Sequence, residues 1–472
     1  MSEDLLFSTL AELAAGLAQR KFSSRELTAA CLDRLRQVGP RFNAVASLLP
    51  DAALRQADEA DRLFASNLVL GPLQGIPYGA KDLLAARGAP TSWGAEPYRE
   101  QRFDYDATVV RKLQSGRAVL AAKLAMVRFA GGGGYDQPTE SLHGPGRNPW
   151  NPERWSGGSS SGPGIAVAAG LVPYAIGSET WGSIEAPCAY CGITGLRPTY
   201  GLVSRYGAMA LSWTMDKLGP MARSAEDCAL VLAQIAGHDE NDPSSAGRGF
   251  QRPQIPQPIS SLRIGFSEID FAEGAEPQAR PAFQQALGVL KSLAPGFREI
   301  SLPAMPYADA ARTIIMADEA ANFEDLIRSE EFDKLPDARQ KAGLRAGLEV
   351  RATEYLKAMR VRRLVQQELR KVFAQVDVLV TTARASTATL IESSRESRWR
   401  PPVENGERGN ADLGAAGNLA GLPALTLPCG FAPDGLPVAL SLVARPFAEA
   451  AVLALGEAFQ KETDWHRRRP QV

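Results

Sequence analysis

The stretch WSGGSSSG at residues 155–162 is followed at residues 177–184 by a second glycine–serine cluster, GSETWGSI. Between them, residues 165–172 form an apolar stretch rich in alanine and glycine. A single Gly-Ser pair marks an ordinary turn, but two clusters around such a segment are harder to explain as turns alone. A tight turn through the second cluster can direct several consecutive backbone N–H groups at one point, since Gly182 has no Cβ. We therefore place the candidate functional site at these two clusters.

An upstream lysine, Lys81 in GIPYGAKD at residues 75–82, lies in a locally apolar stretch that contains glycine. A serine attacks an amide only when a base takes its proton, and a neutral lysine can be that base. Lowering a lysine pKa from about 10.4 to about 7 represents about 4–5 kcal/mol, which burial among apolar groups can supply. The alternative for Lys81 is a structural salt bridge, for instance with Asp82.

Together these motifs resemble the amidase signature family, whose members hydrolyse amides with a Ser–Ser–Lys triad and no histidine. The resemblance extends through NPW at 148–150, CGITGLRPTYG at 191–201, GPMAR at 219–223, NLAGLP at 418–423, DGLP at 434–437 and WH at 465–466. It covers most of residues 70–235 and 375–470 and is weak over residues 260–370. It implies Ser183 as the nucleophile, Ser159 as a bridging serine after a cis peptide bond, and Lys81 as the general base.

The resemblance further implies an oxyanion hole made by the backbone N–H groups of Thr180, Trp181, Gly182 and Ser183. We also assign substrate contacts to Met126, Gly132 and Gly133. The glycine run at residues 131–134 allows backbone to approach a ligand closely, although a flexible connector is the alternative for this run.

The second cluster departs from the family's usual GSDTGGSIR at three positions. Glu179 stands in place of Asp, Trp181 in place of the first Gly, and Glu185 in place of Arg. Trp181 still offers a backbone N–H, and we expect its indole to pack behind the turn rather than to line an acyl pocket. Glu185 removes the carboxylate–guanidinium pair within the motif, so another group must organise the turn.

The activity that the resemblance implies is hydrolysis of an amide-type carbon–nitrogen bond, in an amide, anilide or carbamate (urethane), through an acyl-enzyme on Ser183. The same mechanism can cleave esters. One alternative is a glutamine-hydrolysing amidotransferase A-like subunit, although residues 344–359 lack that group's Gly-Tyr-Tyr-Asp-like segment. Another is a catalytically decayed binding subunit, with Trp181 and Glu185 as traces of the loss.

A further alternative is an α/β-hydrolase, because GSSSG at residues 158–162 matches a nucleophile elbow with Ser160 as nucleophile. His238 or His466 would then be the base. That fold needs a strand directly before the serine, and residues 147–155 contain two prolines and no strand pattern.

The composition is that of an ordinary soluble globular chain, with 45% hydrophobic and 22% charged residues and a net charge of −1. It gives no reason to expect a nucleic acid or a membrane as partner. Three histidines and no His/Asp/Glu set with ligand spacing predict no metal site, and no organic cofactor is expected. Five cysteines, including the Cys188–Cys191 pair, favour buried thiols in a reducing cytoplasm. We expect a cytoplasmic monomer or homodimer that acts on a small-molecule amide or carbamate.

Strand and helix patterns alternate at both ends of the chain, which predicts an α/β fold: an α/β/α sandwich with a large mixed β-sheet flanked by helices. We expect one amidase domain over residues 1–472. Its parts are a helical N-terminal segment at 1–70, a catalytic core at 71–238, a linker at 239–260, a variable mostly helical segment at 261–373 and a C-terminal part at 374–472 that returns to the core sheet. Residues 392–410 predict a charged surface loop.

Overall fold

The computed structural model describes residues 3–134, 140–252, 258–392 and 409–472. Its strands, in chain order, are β1 Val45–Leu48, β2 Pro77–Lys81, β3 Val119–Leu124, β4 Arg147–Asn148, β5 Asn151–Trp155, β6 Tyr174–Glu179, β7 Thr194–Arg197, β8 Lys217–Ala222, β9 Arg263–Phe266, β10 Gly296–Glu299, β11 Val378–Thr382, β12 Ala424–Phe431 and β13 Pro437–Ala444.

The α-helices that this part of the chain forms are α1 Leu10–Ala18, α2 Ser24–Gln37, α3 Pro50–Ala65, α4 Thr108–Ser115, α5 Ser161–Ala168, α6 Glu185–Cys191, α7 Ala225–Ile235, α8 Glu268–Phe271, α9 Arg280–Leu293, α10 Tyr307–Asn322, α11 Glu324–Ile327, α12 Ala338–Gly347, α13 Ala352–Gln375, α14 Leu413–Ala420 and α15 Glu449–Glu462. Capping boxes begin α1 at Thr9–Glu12 and α2 at Ser23–Glu26.

A mixed eleven-stranded sheet forms the centre of the described residues, in the order β1-β3-β2-β6-β8-β7-β12-β13-β11-β9-β10. Helices cover both faces of this sheet. Successive side chains of a strand point to opposite faces, so one strand contributes to both cores. In β6, Tyr174 and Ile176 belong to the core that includes α7, α9 and α15, whereas Ala175 belongs to the core that includes α3 and α5. The predicted α/β fold with a large mixed sheet between helices is confirmed.

The central strands bring the candidate lysine and the second glycine–serine cluster to the same edge of the sheet. β2 ends at Lys81, and it pairs in parallel with β6, which ends at Glu179. Parallel neighbours finish at the same edge, and loops at the carboxyl ends of such strands commonly form binding sites. The candidate site therefore lies where β2 and β6 end.

The segments proposed from sequence differ from the structure in one place. The N-terminal 1–70 segment is not only helical, since β1 lies within it and pairs antiparallel with β3 at the edge of the sheet. Strands β9 and β10 lie in the segment at 261–373 that was expected to be mostly helical, and β11 to β13 lie in the C-terminal part; all five belong to the large sheet. The charged loop expected at residues 392–410 lies almost wholly outside the described residues. None of the helices in the described ranges combines the length and the apolar character needed to cross a membrane.

Helix α5 begins at Ser161, the last serine of the first cluster. Its first turn lies unusually close to the backbone of two residues, Ala44 just before β1 and Ala125 just after β3. The Gly162 N–H donates to the Ala125 carbonyl at 2.8 Å. A Cβ built on Gly162 would lie 2.4 Å from the Ala44 carbonyl oxygen and 2.5 Å from the Ala125 nitrogen. Both neighbours are backbone atoms that cannot rotate away, so only glycine fits this contact.

We expect Gly162→Ala to lower the free energy of unfolding by about 1–3 kcal/mol, because the new methyl group overpacks backbone against backbone. Gly288→Ala is the matched control, since Gly288 lies inside α9 and a Cβ built on it would have nothing within 4 Å. That change should instead raise the stability by about 0.5–1 kcal/mol through helix propensity. Urea denaturation of both variants measures the two effects, and an unchanged midpoint for Gly162→Ala would contradict the close contact.

Candidate active site

The Lys81 ammonium group lies between two serine hydroxyls, one from each glycine–serine cluster. Its Nζ is 2.7 Å from Ser159 Oγ and 2.9 Å from Ser178 Oγ. All three residues are buried, with Lys81 and Ser159 at 0% exposure. The position of Lys81 at the end of β2 fixes its backbone in the sheet, so the side chain enters the site from a rigid strand.

Burial is the main influence on Lys81, and it lowers the pKa of this lysine to about 7. Asp216 and Glu179 lie near enough to oppose the effect by favouring the charged form. The alternative pairing with Asp82 does not occur, because Asp82 accepts from Lys123 Nζ at 3.0 Å and from the Ser92 N–H at 3.0 Å. Lys81 is therefore a lysine that exchanges its proton near neutral pH.

The first cluster is tied to the second through Ser159 and Ser160. The peptide bond between Gly158 and Ser159 is cis. The Ser160 N–H donates to the Ser183 carbonyl at 3.3 Å, and the Ser160 hydroxyl donates to the Ser178 carbonyl at 3.1 Å. Ser160 thus has a structural position between the clusters.

The expectation that residues 147–155 form no strand is wrong. β4 and β5 make a two-stranded hairpin there, apart from the large sheet. The Asn148 side chain accepts from the Trp150 N–H at 2.9 Å, which closes the turn around the intervening proline. The α/β-hydrolase reading is nevertheless not strengthened, because its elbow serine must follow a strand of the central sheet.

The turn from Thr180 to Ser183 joins β6 to α6 and carries the proposed oxyanion hole. None of its four backbone N–H groups donates a hydrogen bond to any residue that the structure describes. The Ser183 hydroxyl likewise makes no hydrogen bond within the described residues, and Ser183 is 3% exposed. A run of four uncommitted N–H groups beside an uncommitted hydroxyl is the arrangement that can bind a carbonyl oxygen as it gains negative charge.

A buried guanidinium, that of Arg197 in β7, organises this turn. Arg197 Nη1 is 2.8 Å from Glu179 Oε1 and 2.8 Å from Glu185 Oε2. The second oxygen of Glu179 accepts from the N–H groups of Ile184 at 2.8 Å and Glu185 at 3.0 Å. Ser441 donates to the remaining Glu185 oxygen at 2.7 Å. We call Glu179, Arg197 and Glu185 the carboxylate clamp; it supplies the ion pair that the motif itself no longer contains.

Lys217 and Asn418 extend the carboxylate clamp. Asn418 Nδ2 donates to Glu179 Oε1 at 3.1 Å, and Lys217 Nζ donates to Asn418 Oδ1 at 2.6 Å. Burial alone would raise the pKa of Glu179, but Arg197 and Lys217 together hold that pKa below its ordinary value. Burial and the Arg197 charge lower the pKa of Lys217 to about 7.

The Trp181 indole packs away from the cluster serines. It is half-buried against the core that includes Leu413 and Ala416 of α14. A Cβ on Gly414 would lie 3.6 Å from the indole nitrogen, an ordinary packing distance, so the ring lies next to the first turn of α14. The ring thus packs on α14, and its expected place behind the turn, away from an acyl pocket, stays a prediction.

A cavity of about 250 Å³ reaches the site beside Ser178 and Thr180. Its walls are largely apolar and aromatic, with Leu83, Tyr206 and Trp213 among them. Asp216 also lines it and accepts a hydrogen bond from the Thr180 hydroxyl. The cavity therefore offers an apolar group a place directly beside the proposed oxyanion hole.

The three predicted substrate-contact residues do not line this cavity, although their neighbour Ala130 does. Met126 is fully buried in the core. Gly133 lies against the backbone of Gln340 in α12, where a Cβ would meet a carbonyl oxygen at 2.3 Å. Gly132 has Leu211 as its nearest neighbour, at 3.2 Å from a built Cβ. A substrate role for Met126, Gly132 and Gly133 stays a prediction.

Sequence reasoning named Lys81, Ser159 and the turn at residues 180–183, which the structure brings together. It did not assign roles to Ser178, Asp216, Lys217, Arg197 or Asn418. Two of these residues could have been singled out from the sequence. Arg197 lies in CGITGLRPTYG and Asn418 lies in NLAGLP, two of the stretches that carry the resemblance to the family. Their contact with Glu179 spans distant parts of the chain and is visible only in the fold.

Comparison with known proteins identifies the family. A family model described as Amidase matches residues 26–453. The chain belongs to the amidase family. The resemblance stated from the sequence is thus confirmed, and the chain is a hydrolase of amide-type carbon–nitrogen bonds at the level of its family.

Relatives within the family differ in what their names describe. The chain is 37% identical over 500 residues to the A-type subunit of the glutamyl-tRNA(Gln) amidotransferase of Chloroflexus aggregans, covering 99% of each chain. Its structure resembles the native peptide amidase of Stenotrophomonas maltophilia with a TM-score of 0.84 and 31% identity, covering 98% of each chain. It also resembles, with a TM-score of 0.87 and 30% identity, a protein of a vestigial complex that "reveals the evolutionary origins of an s-triazine catabolic enzyme", covering 98% of this chain and 100% of that one.

We expect Arg197→Met to lower the free energy of unfolding by about 3–5 kcal/mol, because it leaves two buried carboxylates without their shared cation. Arg328→Met is the control, since Arg328 pairs with Glu324 on an exposed helix face, where such a pair contributes about 0.3–0.5 kcal/mol. Urea denaturation at neutral pH measures both. A loss below about 1 kcal/mol for Arg197→Met would mean that the carboxylate clamp does not hold the turn.

Proposed function

We propose that this protein is a stand-alone hydrolase of amides, anilides or carbamates that works through an acyl-enzyme on Ser183. The observation that carries the proposal is the 2.7 Å contact between Lys81 Nζ and Ser159 Oγ, made by a buried lysine whose pKa is about 7. A base whose pKa lies near the working pH takes up and releases protons most effectively. The uncommitted N–H groups of residues 180–183 lie on the adjacent turn.

In the proposed mechanism the substrate carbonyl oxygen binds the N–H groups of residues 180–183. Ser183 Oγ attacks the carbonyl carbon, its proton passes to Ser159 Oγ, and the Ser159 proton passes to neutral Lys81. The negative charge then lies on the carbonyl oxygen in the hole. No hydrogen bond links the two serine hydroxyls within the described residues, so the relay forms when substrate binds, as catalytic contacts often do.

The tetrahedral adduct collapses when the carbon–nitrogen bond breaks. The leaving nitrogen takes a proton from Ser159 Oγ, which regains one from the Lys81 ammonium group, so the base is neutral again. Water then attacks the acyl-enzyme by the same relay, and Ser183 is released with its proton restored. For a carbamate, cleavage of the carbon–nitrogen bond leaves an alkoxycarbonyl group on Ser183, and the steps are otherwise the same.

A glutamine-dependent amidotransferase subunit is the second candidate, and the similarity to subunits of that name over nearly the whole chain favours it. Such a subunit would deliver ammonia to a partner, whereas a stand-alone enzyme releases its amine product to solvent. The absence of a Gly-Tyr-Tyr-Asp-like segment at residues 344–359 supports the stand-alone reading. Hydrolysis assays with the isolated chain separate the two candidates, since the stand-alone interpretation expects no preference for glutamine over glutaramate, the same amide without its α-amino group.

We expect a fluorophosphonate to label the protein once, on Ser183, as detected by intact mass and peptide mapping. Ser183→Ala should abolish both the label and the hydrolysis of a p-nitroanilide, with a loss in kcat/KM of about 10⁴-fold or more, because the nucleophile is gone. Ser160→Ala is the control and should still be labelled. A label on Ser160, or none, would instead favour the α/β-hydrolase or the decayed-site alternative.

We expect kcat/KM to rise with pH through about 7 and then to level off, because Lys81 is a base only when deprotonated and burial lowers its pKa to about 7. Lys81→Met should remove the activity at every pH. Asp216→Asn should move the rising limb to lower pH, since the Asp216 charge raises the pKa of Lys81. An activity that falls as pH rises from 6 to 8 would exclude Lys81 as the base.

A further inference from the structure

One cation at the site has no role in the proposed chemistry. Arg384 follows β11, and the backbone on either side of it is held in place. The Ala383 N–H donates to the Ala439 carbonyl at 3.0 Å, and the Ala385 carbonyl accepts from the Glu276 N–H at 2.7 Å. A side chain whose backbone is fixed at both neighbours presents its guanidinium at a defined place.

The Arg384 guanidinium lies directly over the oxyanion turn. A Cβ built on Gly182 would be 2.9 Å from Arg384 Nη2, so glycine at this position lets the cation approach. Gly182 has φ of +83° and precedes the proposed nucleophile, Ser183. The guanidinium therefore lies against the residue that directly precedes Ser183, whose Oγ is the proposed nucleophile.

Arg384 has no acceptor among the described residues. Its Nε is buried without a hydrogen-bond partner, and none of its five N–H donors is engaged by a residue in the described ranges. The Arg384 charge acts to lower the pKa of Glu185, but both oxygens of that carboxylate already accept hydrogen bonds, one from Arg197 and the other from Ser441. A guanidinium that is partly withdrawn from water and has no hydrogen-bond acceptor is stabilised when an anion binds to it.

We propose that Arg384 binds a carboxylate of the substrate, so that the enzyme prefers amides that carry a negative charge a few bonds from the scissile carbonyl. The inference rests on the proposed function, because it names the substrate class of the same site. Monoamides of short dicarboxylic acids fit this description.

The geometry sets how far the carboxylate lies from the reacting carbon. A guanidinium–carboxylate pair has N–O distances of about 2.7–2.9 Å. Since Arg384 contacts Gly182, a bound carboxylate lies close to the acyl group held on Ser183, and three or four bonds of chain can span the gap. The apolar cavity lies against Ser178 and Thr180 instead, so an uncharged leaving group can enter it while the acid end meets Arg384.

The test compares two substrates that differ only at the acyl end. Glutaric acid mono-p-nitroanilide ends in a carboxylate, and pentanoyl p-nitroanilide ends in a methyl group at the same chain length. We expect the wild-type protein to favour the acid in kcat/KM by about 10- to 100-fold, the usual worth of one or two charge-assisted hydrogen bonds. In Arg384→Met this ratio should fall to about 1, while Arg384→Lys should keep part of it because it keeps the charge.

Arg328→Met is the control for a lost surface cation, and its ratio should equal that of the wild-type protein. The loss in Arg384→Met should appear mainly in KM for the acid, since the carboxylate does not change during the reaction. If Arg384→Met slows both substrates equally, the residue acts on the oxyanion turn as a whole and the proposal is wrong. A wild-type preference for the neutral amide would overturn it as well.

A labelling experiment separates this inference from the proposed function. Glutarate should slow fluorophosphonate labelling of Ser183 in the wild-type protein, and should give no protection in Arg384→Met. Labelling without protection in the wild-type protein would refute the carboxylate site and leave the nucleophile in place. Absence of labelling would refute the proposed function itself.

Discussion

The fully buried guanidinium of Arg197 is the interaction on which the site depends. It lies 2.8 Å from a carboxylate on each side, Glu179 at the end of β6 and Glu185 at the start of α6. Those two residues bracket the turn that carries Ser183 and the proposed oxyanion donors. Charges removed from water must be paired where they lie, so the strand, the turn and the helix cannot move independently of β7. Asn418 extends the same constraint to α14.

The carboxylate clamp also affects the proposed base. Glu179 is one of two acids that favour the charged form of Lys81, and an unpaired Glu179 would hold that lysine protonated. Its charge is instead shared with Arg197, Lys217 and two backbone N–H groups. Burial then outweighs the remaining attraction, and the pKa of Lys81 comes down to about 7. The ion pair that shapes the turn thereby allows the neighbouring lysine to be neutral.

Local sequence patterns predicted most of the fold and the named residues of the site, and they failed where contacts join distant segments. The alternation of strand and helix patterns at both ends of the chain predicted the α/β fold with its large mixed sheet. β1 was missed, because four half-buried residues between helices carry no clear alternation. The hairpin that ends at Trp155 was missed because prolines and charges hide its pattern. Arg197 could not be assigned to Glu179 and Glu185, since a single sequence does not show which residues meet across the sheet.

The replacement of the usual Arg by Glu185 in the second cluster bears on how the site would bind an anion. With Glu185 in place of the usual Arg, α6 begins with an acid, which the helix dipole favours at that end. The guanidinium needed by Glu179 then comes from Arg197, which is fully buried and donates to both carboxylates and to the Leu422 carbonyl. Arg384 occupies the other side, against Gly182, with Nε free of protein acceptors in the described residues. Arg197 thus holds the turn, and Arg384 remains available for the proposed substrate carboxylate.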